Sequence, residues 1–256
     1  MDTVLYDQYV MERYKNGLTG RGSQTKKPEI KIDKPSFAKK AFNLPRISQL
    51  NKEHLARKYL EDRKIPEEYF RDLYFCENFK EWTNTQKHTF DKVDKDEPRI
   101  IIPLINEGKI IGFQGRSLQK KSKIKYITIM LEEDAPKIYG LDRINKGDRI
   151  YVTEGPFDST FISNSIALCG ADGDISKWVA GDTVWIYDNE PRNREIVSRI
   201  ERAINNGARV VIWPKDIKEK DINDMFLSGL NVQSVVESNI FSGLEAKLKF
   251  NTWKKV

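Results

Sequence analysis

The sequence predicts an α/β protein: a basic α+β portion, then a mostly parallel sheet with covering helices, then a C-terminal helix. Three observations point there. After Gly147, short β-rich runs alternate with helical periodicity in the order β-α-β-β-α-β, as a parallel sheet requires. Upstream, two isoleucine-rich runs flank Asn106-Glu107-Gly108, the pattern of an antiparallel hairpin. Charge divides near the same place: residues 1–150 hold 31 Lys and Arg against 23 Asp and Glu, whereas residues 151–256 hold 13 against 15. A basic first half and a slightly acidic second half suggest one part that holds a polyanion and one that holds cations.

Each element follows from local pattern. Leu5–Lys15 ("LYDQYVMERYK") has the spacing of a short amphipathic helix, within a first segment of residues 1–16. Residues 17–43, rich in Gly, Ser, Lys and Pro, read as a flexible linker. A basic subdomain is expected over 44–147. In it "NKEHLARKYLEDRKIP" begins with Asn-x-Glu and stops before Pro66, a helix. "RIIIPLINEGKIIGFQGRSL" is the hairpin and "YITIML" a further strand. Residues 148–230 form the second subdomain. "RIYVTEG", "SIALCG", "TVWIYD" and "ARVVIWP" are its strands; "FDSTFISN" and "NREIVSRIERAINNG" are its helices, the latter stopped by Gly207. In the tail, 231–256, "SVVESNIFSGLEAKLKF" reads as a helix.

Several function classes drop out. No apolar run approaches the ~20 residues of a membrane span, and the N-terminus has no apolar signal-peptide core. The expectation is a cytoplasmic protein, with no membrane partner. Cys76 and Cys169 are far apart and give no disulfide framework. With His54 and His88 also scattered, no zinc site is expected.

The chemistry gathers at the carboxyl ends of the predicted strands, where open parallel sheets bind ligands. "VTEGPFD" ends in Glu154 and, about a turn later, Asp158. "IYDNE" ends in Asp188 and Glu190, two apart and therefore on one side of an extended backbone. "VVIWPKDIKEKDINDMF" leads to Asp221, Asn223 and Asp224. One acid after a strand is often only a helix cap or dipole partner. Three acid-bearing ends in one sheet argue otherwise, because converging carboxylates repel unless cations or protons compensate. Mg²⁺, with Mn²⁺ as an alternative, prefers such oxygens together with substrate phosphates.

"EGPFD", "YDNE" and "DINDMF", with the small-residue turn "LCGADG" between the first two, resemble the toprim module of replicative primases, topoisomerases and some nucleases. The preceding "RIIIPLINEGKIIGFQGRSL", "KYITI" and "KIYGLDR" resemble the stretch upstream of toprim in bacterial and phage DNA primases, those of T-even-type phages in particular. The resemblance covers roughly 44–250. It implies a primase catalytic core that makes short RNA primers on single-stranded DNA from ribonucleoside triphosphates by metal-dependent nucleotidyl transfer. A replicative hexameric helicase is then an expected partner. The family's Asp-x-Asp is here Asp-Asn-Glu, which keeps both outer carboxylates. In the third segment Asn223 stands where the family has an acid, which puts the third metal contact in doubt. These primases usually begin with a zinc ribbon. Its Cys pairs are not found here, and the expectation is either a truncated gene product or a ribbon supplied by a separate polypeptide.

Asp188 and Glu190 are therefore expected to hold metal, with Asp158 and Asp221 as further ligands. Glu154 is expected to serve as general base or to order the metal site, and Gly155 to let backbone approach the phosphates. Between Gly108 and Leu131 no residue is acidic, while Lys109, Arg116, Lys120, Lys121, Lys123 and Lys125 are basic, a run suited to phosphates. The resemblance implies template or nucleotide contacts for Arg99, Arg116, Lys125 and Tyr126. Phe113 is expected in the core. Two other readings share these features: a toprim nuclease, and a non-catalytic adaptor that holds DNA or a helicase.

Overall fold

The computed structural model describes Met11, residues 42–170 and residues 175–256. The helix expected over Leu5–Lys15 and nearly all of the linker lie outside the described residues, as do the last positions of "LCGADG". The rest forms one compact unit with two sheets.

The first sheet is fully antiparallel, in the order β1 (Tyr74–Cys76), β2 (Arg99–Asn106), β3 (Lys109–Ser117), β4 (Tyr126–Met130). Asn106 pairs with Lys109, so the hairpin turn is Glu107-Gly108, with φ of 52° and 73°. Two successive positive φ values suit the right-handed twist of a hairpin. The isoleucine run of β2 is explained by burial on both faces. Ile100, Ile102 and Leu104 enter one core, while Ile101 enters an aromatic cluster with Phe42, Phe79 and Phe113. Helix α1 (Leu55–Asp62) covers the first face through Ala56 and Leu60. Helix α2 (Phe79–Gln86), together with β1, was not expected from the sequence.

The glycines of "GFQGR" have a steric reason. A Cβ on Gly112 would stand 2.7 Å from the Ile129 carbonyl oxygen, and one on Gly115 would enter the Phe79 ring.

The second sheet has the order β10-β9-β8-β6-β7-β5. Its strands are β5 (Ile138–Tyr139), β6 (Ile150–Thr153), β7 (Ser165–Leu168), β8 (Thr183–Trp185), β9 (Arg209–Val211) and β10 (Ile240–Phe241). The four central strands are parallel and the two edges antiparallel. Alternation again splits the side chains: Ile150 and Val152 face one cluster and Tyr151 another. In β7, Ile166 and Leu168 go one way, and Ala167 and Cys169 join the core beneath the first sheet. The two sheets thus share a hydrophobic core. Helix α3 (Arg194–Asn205) buries Ile196, Ile200 and Ile204 at helical spacing and ends at Gly207, φ 78°. Asn193 caps it through the Glu195 N–H.

Two expected helices change. "FDSTFISN" is only a 3-10 turn, Asp158–Phe161. The Ser159 and Thr160 hydroxyls bond back to the carbonyls of Pro156 and Phe157, competing with helical bonds. The tail helix is two: α5 (Val232–Ser238) and α6 (Gly243–Trp253), separated by β10. Ile240 and Phe241 complete the sheet against Val211 and Val210, and Gly243 takes φ 56°. Between β9 and α5 lies the short helix α4 (Ile222–Leu227).

Replacing Gly112 or Gly115 by alanine is expected to destabilise the fold by about 1–3 kcal/mol through overpacking. Urea denaturation should then give a lower midpoint at unchanged slope.

Candidate active site

Parallel strands β6 and β8 end side by side, which brings their terminal acids together. Glu154 follows β6, and one of its carboxylate oxygens accepts the backbone N–H of Asp188 at 3.0 Å. The other forms an ion pair with Arg199 on α3. Both partners of that pair are mostly buried, at 16% and 17% side-chain exposure, so the pair is shielded from salt. Burial pushes the Glu154 carboxyl above its usual range, against the Asp188 N–H and Arg199.

Asp158 opens the 3-10 turn and folds back over Gly155, where a Cβ would stand 2.7 Å from its Oδ2. Its Oδ1 accepts the Asn223 N–H at 3.1 Å. Burial, then the neighbouring Asp221, push this carboxyl up to about 7. Asp188 is pushed up to about 8 by burial, with Glu154 and Asp158 adding to it. Lys220 reaches across the acids, its Nζ 3.3 Å from Glu190 Oε2 and 3.8 Å from Asp188 Oδ2. Burial lowers the Lys220 pKa, but Glu190 and Asp188 outweigh it and the net shift is upward.

Asp221 caps α4 by accepting the Asp224 N–H at 2.8 Å. Asp224 itself is exposed on the first turn. Asn223 is 1% exposed and turned away from the acids. Its side-chain oxygen accepts from the Arg63 guanidinium and its amide donates to the Arg63 carbonyl, both at 2.7 Å. A carboxylate here could accept from the guanidinium but could not donate to the carbonyl. Asn223 is a tie between α4 and the end of α1. Asn189, between the two outer acids, is equally occupied. Its amide donates to the carbonyls of Ile217 and Glu219, and its oxygen accepts from the Trp253 indole at 3.0 Å.

The acids therefore interact, yet among the described residues no three Asp, Glu, His or Cys side chains draw together into a metal-binding cluster. Arg199 and Lys220 are paired with the carboxylates instead. His54 caps α1, and both cysteines are buried.

The basic residues divide by role. Arg99 is 2% exposed and donates to the carbonyls of Gly115, Ile124 and Lys125 while paired with Glu97. Its guanidinium holds the end of the lysine-rich loop in place. The Lys125 ammonium also turns inward, to the carbonyls of Gln119 and Lys120. Lys109 pairs with Glu132. Lys120, Lys121 and Lys123 are exposed. Arg116 lies 4.6 Å from the centroid of Tyr126 and 5.6 Å from that of Tyr59, and Arg63 lies 5.1 Å from the same Tyr59 centroid. Burial raises the Tyr126 pKa against the opposing Arg116, with Tyr59 and then Asp158 adding to the rise. Phe113 is fully buried.

Sequence reasoning missed Arg63, Arg199, Lys220 and the role of Asn189. Lys220 had a local signal, standing directly before Asp221. Arg63 and Arg199 are brought to the acids only by tertiary structure, and Asn189, adjacent to the acids in sequence, finds its partners Ile217, Glu219 and Trp253 only there.

An antiparallel sheet sharing its core with a largely parallel sheet, acids along the carboxyl edge of the latter, is the architecture of DNA primase catalytic cores. The RNA polymerase domain of Mycobacterium tuberculosis primase DnaG, in complex with a double-stranded DNA oligomer with a 6-nucleotide overhang, matches with a TM-score of 0.56. The identity is 17%, over 78% of this chain and 77% of that one. The DnaG primase catalytic domain bound to ssDNA matches with a TM-score of 0.55 and 18% identity, over 77% of this chain and 74% of that one. In sequence, the DNA primase of Enterobacteria phage T4 is 36% identical over 259 residues, 98% of this chain and 75% of the T4 protein. The chain belongs to the family of that phage DNA primase, a nucleotidyltransferase that makes RNA primers. A comparison with protein-family models gives no match.

The raised carboxyl pKa values set a pH dependence. An acid whose folded pKa lies above its unfolded value stabilises the fold fully below the unfolded value. That contribution is lost as pH rises through the folded one. In EDTA, the melting temperature is expected to fall as pH rises from about 4, the ordinary aspartate range, and to level off above about 7 to 8, where Asp158 and Asp188 are ionised in the folded state as well. The Asp158→Asn/Asp188→Asn variant should show a flatter profile in the same thermal scans.

Proposed function

We propose that nucleotidyl transfer takes place at the carboxyl edge of the second sheet, with Asp188 and Glu190 as the principal ligands of Mg²⁺. Asp158 and Asp221 are further ligands, directly or through water. The observation that carries this reading is the meeting of partly buried carboxylates at one sheet edge: burial first, and then the neighbouring acids, push Asp158 and Asp188 up to about 7 and 8. That no three acids form a cage is compatible with Mg²⁺, which takes one or two carboxylates and completes its shell with waters and substrate phosphates. When bound, the ion lowers the pKa of the attacking 3′-hydroxyl, aligns the triphosphate and neutralises the leaving pyrophosphate.

The residues of this chain do the rest. Glu154 is held at both oxygens, by the Asp188 N–H and by Arg199, which favours ordering the Asp188 loop over proton abstraction. Lys220 keeps Asp188 and Glu190 on one side of the site. Gly155 leaves room for Asp158 to reach inward. The exposed Lys120, Lys121 and Lys123 hold template phosphates, and Arg116 and Tyr126 line the approach to Asp158. Ribonucleoside triphosphates and single-stranded DNA are the substrates of this site. A replicative helicase is a further partner, by family membership alone.

Asp188→Asn is expected to reduce Mg²⁺-dependent RNA synthesis on single-stranded DNA by more than ~100-fold while DNA binding persists. Loss of DNA binding in the folded variant would make Asp188 structural. Cleavage of the DNA without RNA products would favour a nuclease. Glu154→Gln should also lower synthesis, with a weaker apparent affinity for Mg²⁺ as its signature.

A further inference from the structure

Beyond the carboxyl ends of β8 and β9 lies a groove of about 650 Å³ that begins at Glu190 and runs to the end of α6. Pro191, Pro214 and the edge of Trp253 contribute to its lining. Along its rim stand Arg192, Lys215, Lys218 and Lys255, all exposed. The segments that carry them are tied to one another. Asn189 bonds the 217–219 loop and Trp253, the Asn189 N–H donates to the Lys220 carbonyl at 2.6 Å, and the Lys255 N–H donates to the Pro191 carbonyl at 2.8 Å. The Lys218 ammonium bonds the Lys215 carbonyl, fixing that turn. Four cations thus converge on one partly apolar channel in the half of the chain whose overall charge is negative. Asp216 and Glu219 are the acids on the same turn, Glu219 accepting the Lys218 N–H at 3.1 Å, and Glu190 stands at the inner end. Cations spaced along a channel with an apolar lining suit a chain of phosphates joined by sugars and bases.

We propose that this groove seats the sugar-phosphate backbone of a single nucleic-acid strand where it meets the reaction centre. It is a second basic surface, separate from the lysine loop at 120–123. The proposal rests on the assignment of Asp188 and Glu190 as the reaction site only for what the strand is doing there. Strand binding itself stands on the groove.

The test uses the full chain and a fluorescein-labelled oligodeoxythymidine, with anisotropy titrations across a range of salt. The variant Arg192→Gln/Lys215→Gln/Lys218→Gln/Lys255→Gln is expected to bind more weakly. Its log–log salt slope should be shallower by about 0.7 for each phosphate that the variant no longer neutralises. Adding Lys120→Gln/Lys121→Gln/Lys123→Gln should weaken binding further and independently. Circular dichroism checks the fold, and the single variants Lys215→Gln and Lys255→Gln carry the same expectation in smaller measure. Primer synthesis at subsaturating template should fall in the groove variants in step with their strand affinity, whereas failure of the reaction-site assignment would appear as full synthesis in Asp188→Asn, with strand binding by the groove unaffected. Unchanged affinity and slope in the folded groove variant would overturn the proposal. So would tripolyphosphate binding that the variant abolishes while strand affinity stays constant, which would make the groove a seat for nucleotide phosphates alone.

Discussion

Carboxylates gathered at the edge of one sheet repel one another, and the surrounding structure answers that repulsion. Asp188 and Asp158 are displaced far above the usual range because burial removes the water that would otherwise screen them. The protein supplies partial compensation from every side. The Asp188 N–H and Arg199 serve Glu154, the Asn223 N–H serves Asp158, and Lys220 spans Asp188 and Glu190. None of these neutralises the site completely. Charge is thus held in position at this edge while its neutralisation is left incomplete.

Two neutral amides make the arrangement rigid. Asn223 binds Arg63 through both ends of its side chain and so joins the acid-bearing α4 to the helix that covers the first sheet. Asn189 joins the end of β8 to the 217–219 loop and to α6. An amide both donates and accepts, and a carboxylate at either place would leave carbonyl partners facing an acceptor. Beneath them, the core shared by Ile100, Ile102, Ala167 and Cys169 fixes the spacing of the sheets. Arg99 secures the lysine-rich loop in the same way, by giving its donors to three carbonyls in a buried setting.

Most of the sheet architecture was legible because β-branched runs and turn residues are local signals. The isoleucines of β2, the Glu107-Gly108 turn and the Gly207 stop all appear where their chemistry requires. The acids were legible too, since strand ends are recognisable and their carboxylates need a purpose. What failed was whatever depended on competition or on distant partners. The hydroxyls of Ser159 and Thr160 won carbonyls that a helix would have used. Ile240 and Phe241 had helical neighbours but found an open sheet edge. The burial of Arg99 among three carbonyls was not visible either, since its charge is written in the sequence and its partners are not. Arg63 and Arg199 had no local mark at all, since each meets its partner only after folding.

The tie between Asn189 and Trp253 has a mechanical consequence. Asn189 is flanked directly by Asp188 and by Glu190, and its side-chain oxygen is bonded to the last residue of α6. Leu244 and Leu248 lie exposed on the same helix. Helix α6 is therefore coupled to the acid-bearing edge: its last residue is joined, through one indole and one amide, to the chain between the two carboxylates.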